Sequence, residues 1–559
     1  MIDVLALPAP FLLFAGAILV VAAPRRFAPL VAGAALLIVL GWLIVVPAGV
    51  GPTRQFAGYP VHFVVVDSTS RPAGVVIIAI GLLGTALASV EADHPAVFAG
   101  GIATTGAALA LVLAGDWFTI AAAWGSLVGL GTALLAVRGM APGRASIRFG
   151  LVHAVSAGFV MGGAALAVGV GSIPGDPTVP SGGRFALAAA AAFGVGIIGV
   201  DGWLRGGLIA AAPSVRAFLF PGIVGAGLVV GMVAFPDGSV ALASIGAVAA
   251  VVAAAIVITA EDARLVVAAQ VQVHGAIALV AVAAGAPLAG FGHLFALVIA
   301  LGLVLVTTTE SAATCTLTPG VAGALVLLGA VTAVGLPGSP AFASVGKILS
   351  VLETGPMATL AWLVLVALVG SMGGFVRLAV RRSRSTDRSR SPTRERLVLV
   401  VALVAATVVI GVTGFVVTAT RVLPPAELAL QAGLAVVVVV LGAILGLAVE
   451  RSNRLAGVHL DTDRLVTTIV VTPVRVGADR LLALMRFADR AGATLARGSV
   501  YAVRRPNETL ERVLPPVASA WYHERRLRTP GPTGLKLGLE ESVYVLVLFL
   551  AIALILGLR

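Results

Sequence analysis

Among the ionisable side chains of this 559-residue chain that stand in or beside long apolar runs, seven are placed where their chemistry would matter most. Asp201 and Arg205 are four residues apart. Asp262 and Arg264 precede an apolar run, and His274 follows Gln270 at the i, i+4 spacing that places two side chains on one helix face. His293 and Lys347 come next along the chain. Ionisable groups in hydrocarbon are costly and mark proton or ion routes, so these residues are the candidates for a pathway. Each also has a plainer reading. Asp201 and Arg205 suit an ion pair at a helix end, Asp262 suits an anchor for a helix N-terminus, and buried histidines commonly hydrogen-bond between packed helices. Lys347 reads equally as a loop lysine near an outer surface. His153, about a turn inside its own run, is a further histidine of the same ambiguous kind.

The elements that must carry these residues are membrane helices. Hydrophobic residues make up 59% of the chain against 11% charged, and the mean hydropathy is +1.09, a composition that excludes a soluble globular domain. With 67 glycines and only 6% aromatics, the sequence favours helices packed through small residues over a barrel with aromatic girdles. The expected fold is all-α and polytopic. About 16 apolar stretches, each near the 20 residues a bilayer demands, fall at 2–23, 29–49, 72–90, 95–114, 117–137, 149–171, 185–203 and 217–235, then 239–260, 265–285, 289–307, 319–336, 357–376, 397–419, 428–449 and 541–558. The first stretch lacks a basic leader and reads as a retained helix. Alternating the loops puts Arg25, Arg26, Arg138, Arg144, Arg148, Arg205 and Arg216 on one side, predicted cytoplasmic. The Arg/Ser-rich linker joins that side if 338–355 is an external loop or half-helix. The net charge of +12 is mostly arginine between spans, which points to topogenesis and to the cell membrane, with no nucleic acid as partner.

The expected organisation is N-terminal membrane helices at 1–90, a core at 91–380, the linker at 381–396, two further spans at 397–449, a polar region at 450–540 and a terminal span at 541–559. Within the polar region Leu481, Leu482, Leu484, Met485 and Phe487 interleave with Arg480, Arg486 and Arg490, the pattern of an amphipathic helix. A small cytoplasmic helical domain is the alternative. The single cysteine, Cys315, excludes an internal disulfide, and there is no P-loop, dinucleotide fingerprint or zinc helix. No cofactor and no metal site is expected. Asp461 and Asp463 could form a divalent-metal dyad of a lipid or glycan enzyme, though a helix cap explains them more simply.

Six strings follow one another in an informative order. They are FVVVDSTS (63–70), GDWFTIAAAWGSLVGLGTALLAV (115–137), FGVGIIGVDGWLRGGLIAAAPSVRAFLFPG (193–222), ITAEDARLVVAAQVQVHG (258–275), FGHLFALVIALGLVLV (291–306) and GLPGSPAFASVGKI (335–348), with GGFVRLAV (373–380) after them. Their order resembles the antiporter-like membrane subunits shared by Mrp-type cation/proton antiporters and respiratory complex I. The resemblance covers somewhat over half the chain and is strongest at 258–275, where Asp262, Arg264 and His274 match. It implies two inverted five-helix repeats with a proton route of Glu, Lys and His near the midplane. It also implies that the family carboxylate falls on Gly125, beside Trp124, and that family lysines fall on Gly196 and Leu301, while Leu297 takes a histidine's place. Such a route would be interrupted.

The resemblance implies a membrane subunit of a multi-subunit Mrp-like or complex-I-like assembly that contributes to proton/cation translocation or its coupling, with a structural or coupling role favoured over conduction. Its partners would be other membrane subunits, the lipid bilayer, protons and Na+ or another monovalent cation. Any enzymatic role would belong to an NADH-quinone oxidoreductase-like complex as a whole. The alternatives are a self-sufficient secondary transporter and the membrane lipid or glycan enzyme.

Overall fold

The computed structural model describes residues 9–50, 54–56, 59–61, 64–91, 93–138, 142–197, 211–308, 317–353, 356–384, 394–417 and 425–451. The expected amphipathic helix near 481–490, Asp461, Asp463, Cys315 and the last expected span at 541–558 lie outside these residues. The described part is a multi-pass all-α membrane fold. In chain order its helices are α1 (Ala9–Ala22), α2 (Ala28–Val45), α3 (Ser70–Val90), α4 (Pro95–Val112), α5 (Trp117–Arg138), α6 (Pro142–Gly169), α7 (Ser181–Val195) and α8 (Pro213–Ala234). They continue as α9 (Val240–Thr259), α10 (Ala263–Ala283), α11 (Pro287–Thr308), α12 (Pro319–Val334), α13 (Phe342–Glu353), α14 (Ala358–Arg384), α15 (Arg394–Val417) and α16 (Pro425–Arg451). Among the described residues 12 helices are long and apolar enough to cross a membrane, while Ala9–Ala22 and Pro319–Val334 are shorter apolar helices.

The loop before α3 departs from the all-helical expectation. Strands β1 (Gly49–Val50) and β4 (Val65–Val66) pair antiparallel, as do β2 (Arg54–Phe56) and β3 (Tyr59–Val61). This segment is rich in Val, Tyr and Phe and punctuated by Pro and Gly, a composition suited to short extended pairs. Asp67 then starts α3: its carboxylate accepts the N–H groups of Thr69 (2.8 Å) and Ser70 (2.6 Å).

Helices α8, α10 and α11 form the centre, burying 94%, 94% and 89% of their most apolar windows. Small residues allow this. A Cβ on Gly194 of α7 would stand 2.8 Å from the Gly227 Cα of α8, and one on Gly84 of α3 would stand 2.5 Å from the Phe218 ring. Two-sided burial explains why these helices are apolar all round.

Contacts between helix ends define two faces. On one, Ser214 at the start of α8 meets Glu91 after α3, and Arg381 of α14 donates to the Glu261 carbonyl between α9 and α10 (2.8 Å) and to Glu450 of α16 (3.0 Å). Arg396 of α15 donates to the Val306 carbonyl of α11 on the same face. On the other face Arg71 donates to the Val46 carbonyl (2.6 Å) and Ser239 N–H to the Ala283 carbonyl (2.6 Å).

Two helices end earlier than their apolar runs suggest. The expected span 185–203 stops at Val195, because Gly196 adopts φ 73°, the left-handed region favoured by glycine. Gly335 ends α12 at φ 94°. After a turn, the 12-residue α13 packs on α11, α14 and α15. At about 1.5 Å per residue such a helix reaches roughly 18 Å, about half the bilayer. The stretch 338–355 thus contains a half-helix. Helix α14 instead outruns its expected end at 376, since Arg377 and Arg381 of its extra turns both reach Glu450.

Candidate functional site

Four side chains from three helices meet in the interior. Helix α10 starts at Asp262, whose Oδ1 accepts the Arg264 N–H at 2.8 Å. This cap satisfies one of the donors that every helix start leaves open. Two turns on, Gln270 and His274 occupy one face of α10 with no solvent exposure. His293 of α11 and Ser371 of α14, also at 0% exposure, reach them from either side.

The geometry defines a thread. His293 Nε2 lies 3.0 Å from His274 Nδ1, and His274 Nε2 lies 2.9 Å from Ser371 Oγ. Ser371 Oγ donates to Gln270 Oε1 at 2.7 Å, and Gln270 Nε2 donates back to the Ser371 carbonyl at 2.8 Å. With the serine proton committed to Gln270, Ser371 Oγ accepts from His274 Nε2–H. His274 Nδ1 then accepts from His293 Nε2–H, given one proton on each imidazole. The thread therefore has a direction, and its open end is His293 Nδ1, which has no partner among the described residues. The other end is an amide. A glutamine closes a hydrogen-bond chain but, unlike imidazole, does not readily take up and pass on a proton.

A second amide reaches the opposite way from α10. Gln272 Nε2 donates to the Gly196 carbonyl at 2.6 Å, where α7 breaks. The position that the resemblance assigns to a lysine is thus a left-handed glycine satisfied by an amide from another helix. A Cβ at Gly125 would meet nothing within 4 Å, and Leu301 is packed at 3% exposure.

Of the seven candidate residues, the structure brings together His274 and His293. Asp262 is an exposed helix cap, Arg264 is half-buried beside it, and Lys347 is exposed on α13 and makes none of the thread's hydrogen bonds. Asp201 and Arg205 lie outside the described residues. His153 is buried against the Phe149 ring, with centroids 4.5 Å apart, and is not part of the thread. Sequence reading paired Gln270 with His274 but missed Ser371, whose one signal is a lone hydroxyl in the glycine-rich run GSMGG. It also missed a cluster at the helix-end face, where Asp93 Oδ2 accepts the Ser214 hydroxyl proton at 2.7 Å and Glu91 accepts the Ser214 N–H at 3.3 Å. Glu91 and Asp93 just after a span read as ordinary interfacial charges until α8 covers them. Among the described residues no group of three His, Cys, Asp or Glu side chains could hold a metal ion.

No family model matches the sequence, and no curated protein matches it. Solved structures do resemble it. A chain in the Mrp complex from Dietzia sp. DQ12-45-1b is 18% identical, with a TM-score of 0.67 over 98% of this chain and 68% of that one. A chain of respiratory complex I from Thermus thermophilus with bound NADH is 18% identical at a TM-score of 0.59, over 78% of this chain and 99% of that one. A chain of the membrane-bound sulfane sulfur reductase, an archaeal respiratory membrane complex, is 15% identical at a TM-score of 0.61, over 93% and 99%. The chain shares the fold of these three chains from membrane complexes.

Proposed function

We propose that this chain is a membrane subunit of a multi-subunit cation/proton-translocating assembly of the Mrp or complex-I type. Its partners are other membrane subunits, and the ions moved by the assembly are protons and Na+ or another monovalent cation. The observation that carries the reading is the fold likeness over 98% of the chain. The two inverted five-helix repeats belong to the same proposal. In support, α7 and α12, which would hold equivalent places in the two repeats, each stop at a left-handed glycine.

Within that assembly the role is structural or coupling, and the family Glu and Lys positions are lost at Gly125, Gly196 and Leu301. The thread supports this. It holds two protonatable rings, yet it ends in the Gln270 amide, while Gln272 ties α10 to the break in α7. Hydrogen bonds of this kind pin three helices in register across a layer that apolar packing alone leaves free to slide. They do not provide a through route for protons. Asp262 and Arg264 serve the start of α10, and Lys347, exposed in the middle of α13, makes none of the thread's hydrogen bonds.

The test is cation-dependent proton flux in vesicles. The purified chain alone should be inert and the complete native assembly active. Flux from the chain alone would instead establish a self-sufficient transporter.

A further inference from the structure

At the end of α14, beyond the thread, a cavity of about 210 Å³ is lined by Arg377, Arg381 and Arg382 together with Ala260, Glu261, Ala263, Val266 and Leu378. A single water needs roughly 10–15 Å³ by comparable measure, so the space admits a much larger group. Arg377 is 2% exposed, and its Nε donates to Glu450 at 3.3 Å. Both terminal nitrogens, Nη1 and Nη2, are buried without a partner among the described residues. A guanidinium in that state is costly, since buried donors are almost always paired.

Three guanidinium groups gather here. Arg377, Arg381 and Arg382 line the cavity together with Glu261, and Glu450 accepts from both Arg377 and Arg381. Arg381 is committed further, through Nη1 to the Glu261 carbonyl. The first turn of α10, at Ala263, brings the positive end of a helix to the same wall.

We propose that this cavity binds a phosphate oxyanion, supplied by the phosphodiester of an anionic phospholipid. The fork of Arg377 matches two oxygens of such a group. The location fits a lipid source. Arg381, Arg382 and Arg384 form the last turn of a membrane helix, on the face predicted cytoplasmic, where anionic headgroups lie against basic juxtamembrane residues. The lipid would complete the contact between the α9–α10 turn, α14 and α16.

The experiment uses the full chain, delipidated in neutral detergent and placed in phosphatidylcholine nanodiscs with and without phosphatidylglycerol, with inorganic phosphate as a separate arm. Thermal unfolding and lipid retention by native mass spectrometry are the readouts. Phosphatidylglycerol should raise the unfolding temperature and stay bound, while inorganic phosphate does neither. Arg377→Gln should weaken retention roughly tenfold, the loss expected for charged hydrogen bonds. Arg382→Gln, at a partly exposed position, guards against a misfolded Arg377 variant and should weaken retention severalfold. Stabilisation by phosphate alone, with phosphatidylglycerol no better than phosphatidylcholine, would make the ligand a soluble oxyanion and overturn the lipid assignment. Retention unchanged in both folded variants would remove the site altogether.

Discussion

Replacing Ser371 by alanine is the sharpest test of the thread as a pin between helices. The substitution deletes one oxygen and leaves two buried groups without their partner, the His274 Nε2–H at 2.9 Å and Gln270 Oε1 at 2.7 Å. At about 1–3 kcal/mol for each unsatisfied buried group, the upper range is roughly 2–6 kcal/mol. Interhelical hydrogen bonds inside bilayers average only about 0.6 kcal/mol, which sets a lower bound near 1 for two bonds. Complete burial of all four members excludes bulk water and favours a value above that bound. A shift of the His274 proton to Nδ1 would relieve part of the cost. The expected loss is about 2 kcal/mol, or roughly 30-fold in the unfolding equilibrium. It is measured by equilibrium unfolding of the purified chain in mixed micelles. A double-mutant cycle with His274→Phe should show a coupling of about 1 kcal/mol, because neighbours in one network are not additive. A loss below about 0.5 kcal/mol with additive single effects would refute the reasoning.

The remaining predictions concern other parts of the frame. Gln272→Leu leaves the Gly196 carbonyl unpaired at the end of α7 and should cost about 1–2 kcal/mol in the same unfolding assay. Gly442→Val places a Cβ 2.6 Å from that of Met372 and 2.8 Å from the Val369 carbonyl. That overpacking should loosen α16 from α14 by about 1–3 kcal/mol, read as faster hydrogen exchange confined to those two helices. Asp262→Ala removes the α10 cap for about 1 kcal/mol, leaving flux through the complete assembly unchanged.

Much of this fold is legible in the sequence because a bilayer imposes one length and one composition on each crossing. The stretch 338–355 holds the short helix that the sequence allows there as a half-helix. The breaks are harder to read. Gly196 and Gly335 stop α7 and α12 through a backbone angle, and in a chain with 67 glycines no local signal separates these two from the glycines that merely let helices approach. The site divides in the same way. Gln270 and His274 share a face by spacing within one helix, whereas the pairing of His274 with His293 spans 19 residues and that with Ser371 spans 97. Such distances are closed by helix packing, which no local pattern encodes. Asp262 stands before an apolar run, and its carboxylate caps α10 there.

The central claim is that the buried histidines hold this subunit together without conducting protons through it. Cation-dependent proton flux in vesicles of the complete assembly, wild type against His293→Gln, tests that claim most directly once the variant is shown to assemble. Glutamine keeps a donor for His274 Nδ1 and removes the protonatable ring. The account predicts unchanged flux. Loss of flux from an intact assembly would make the thread a working proton relay and contradict it.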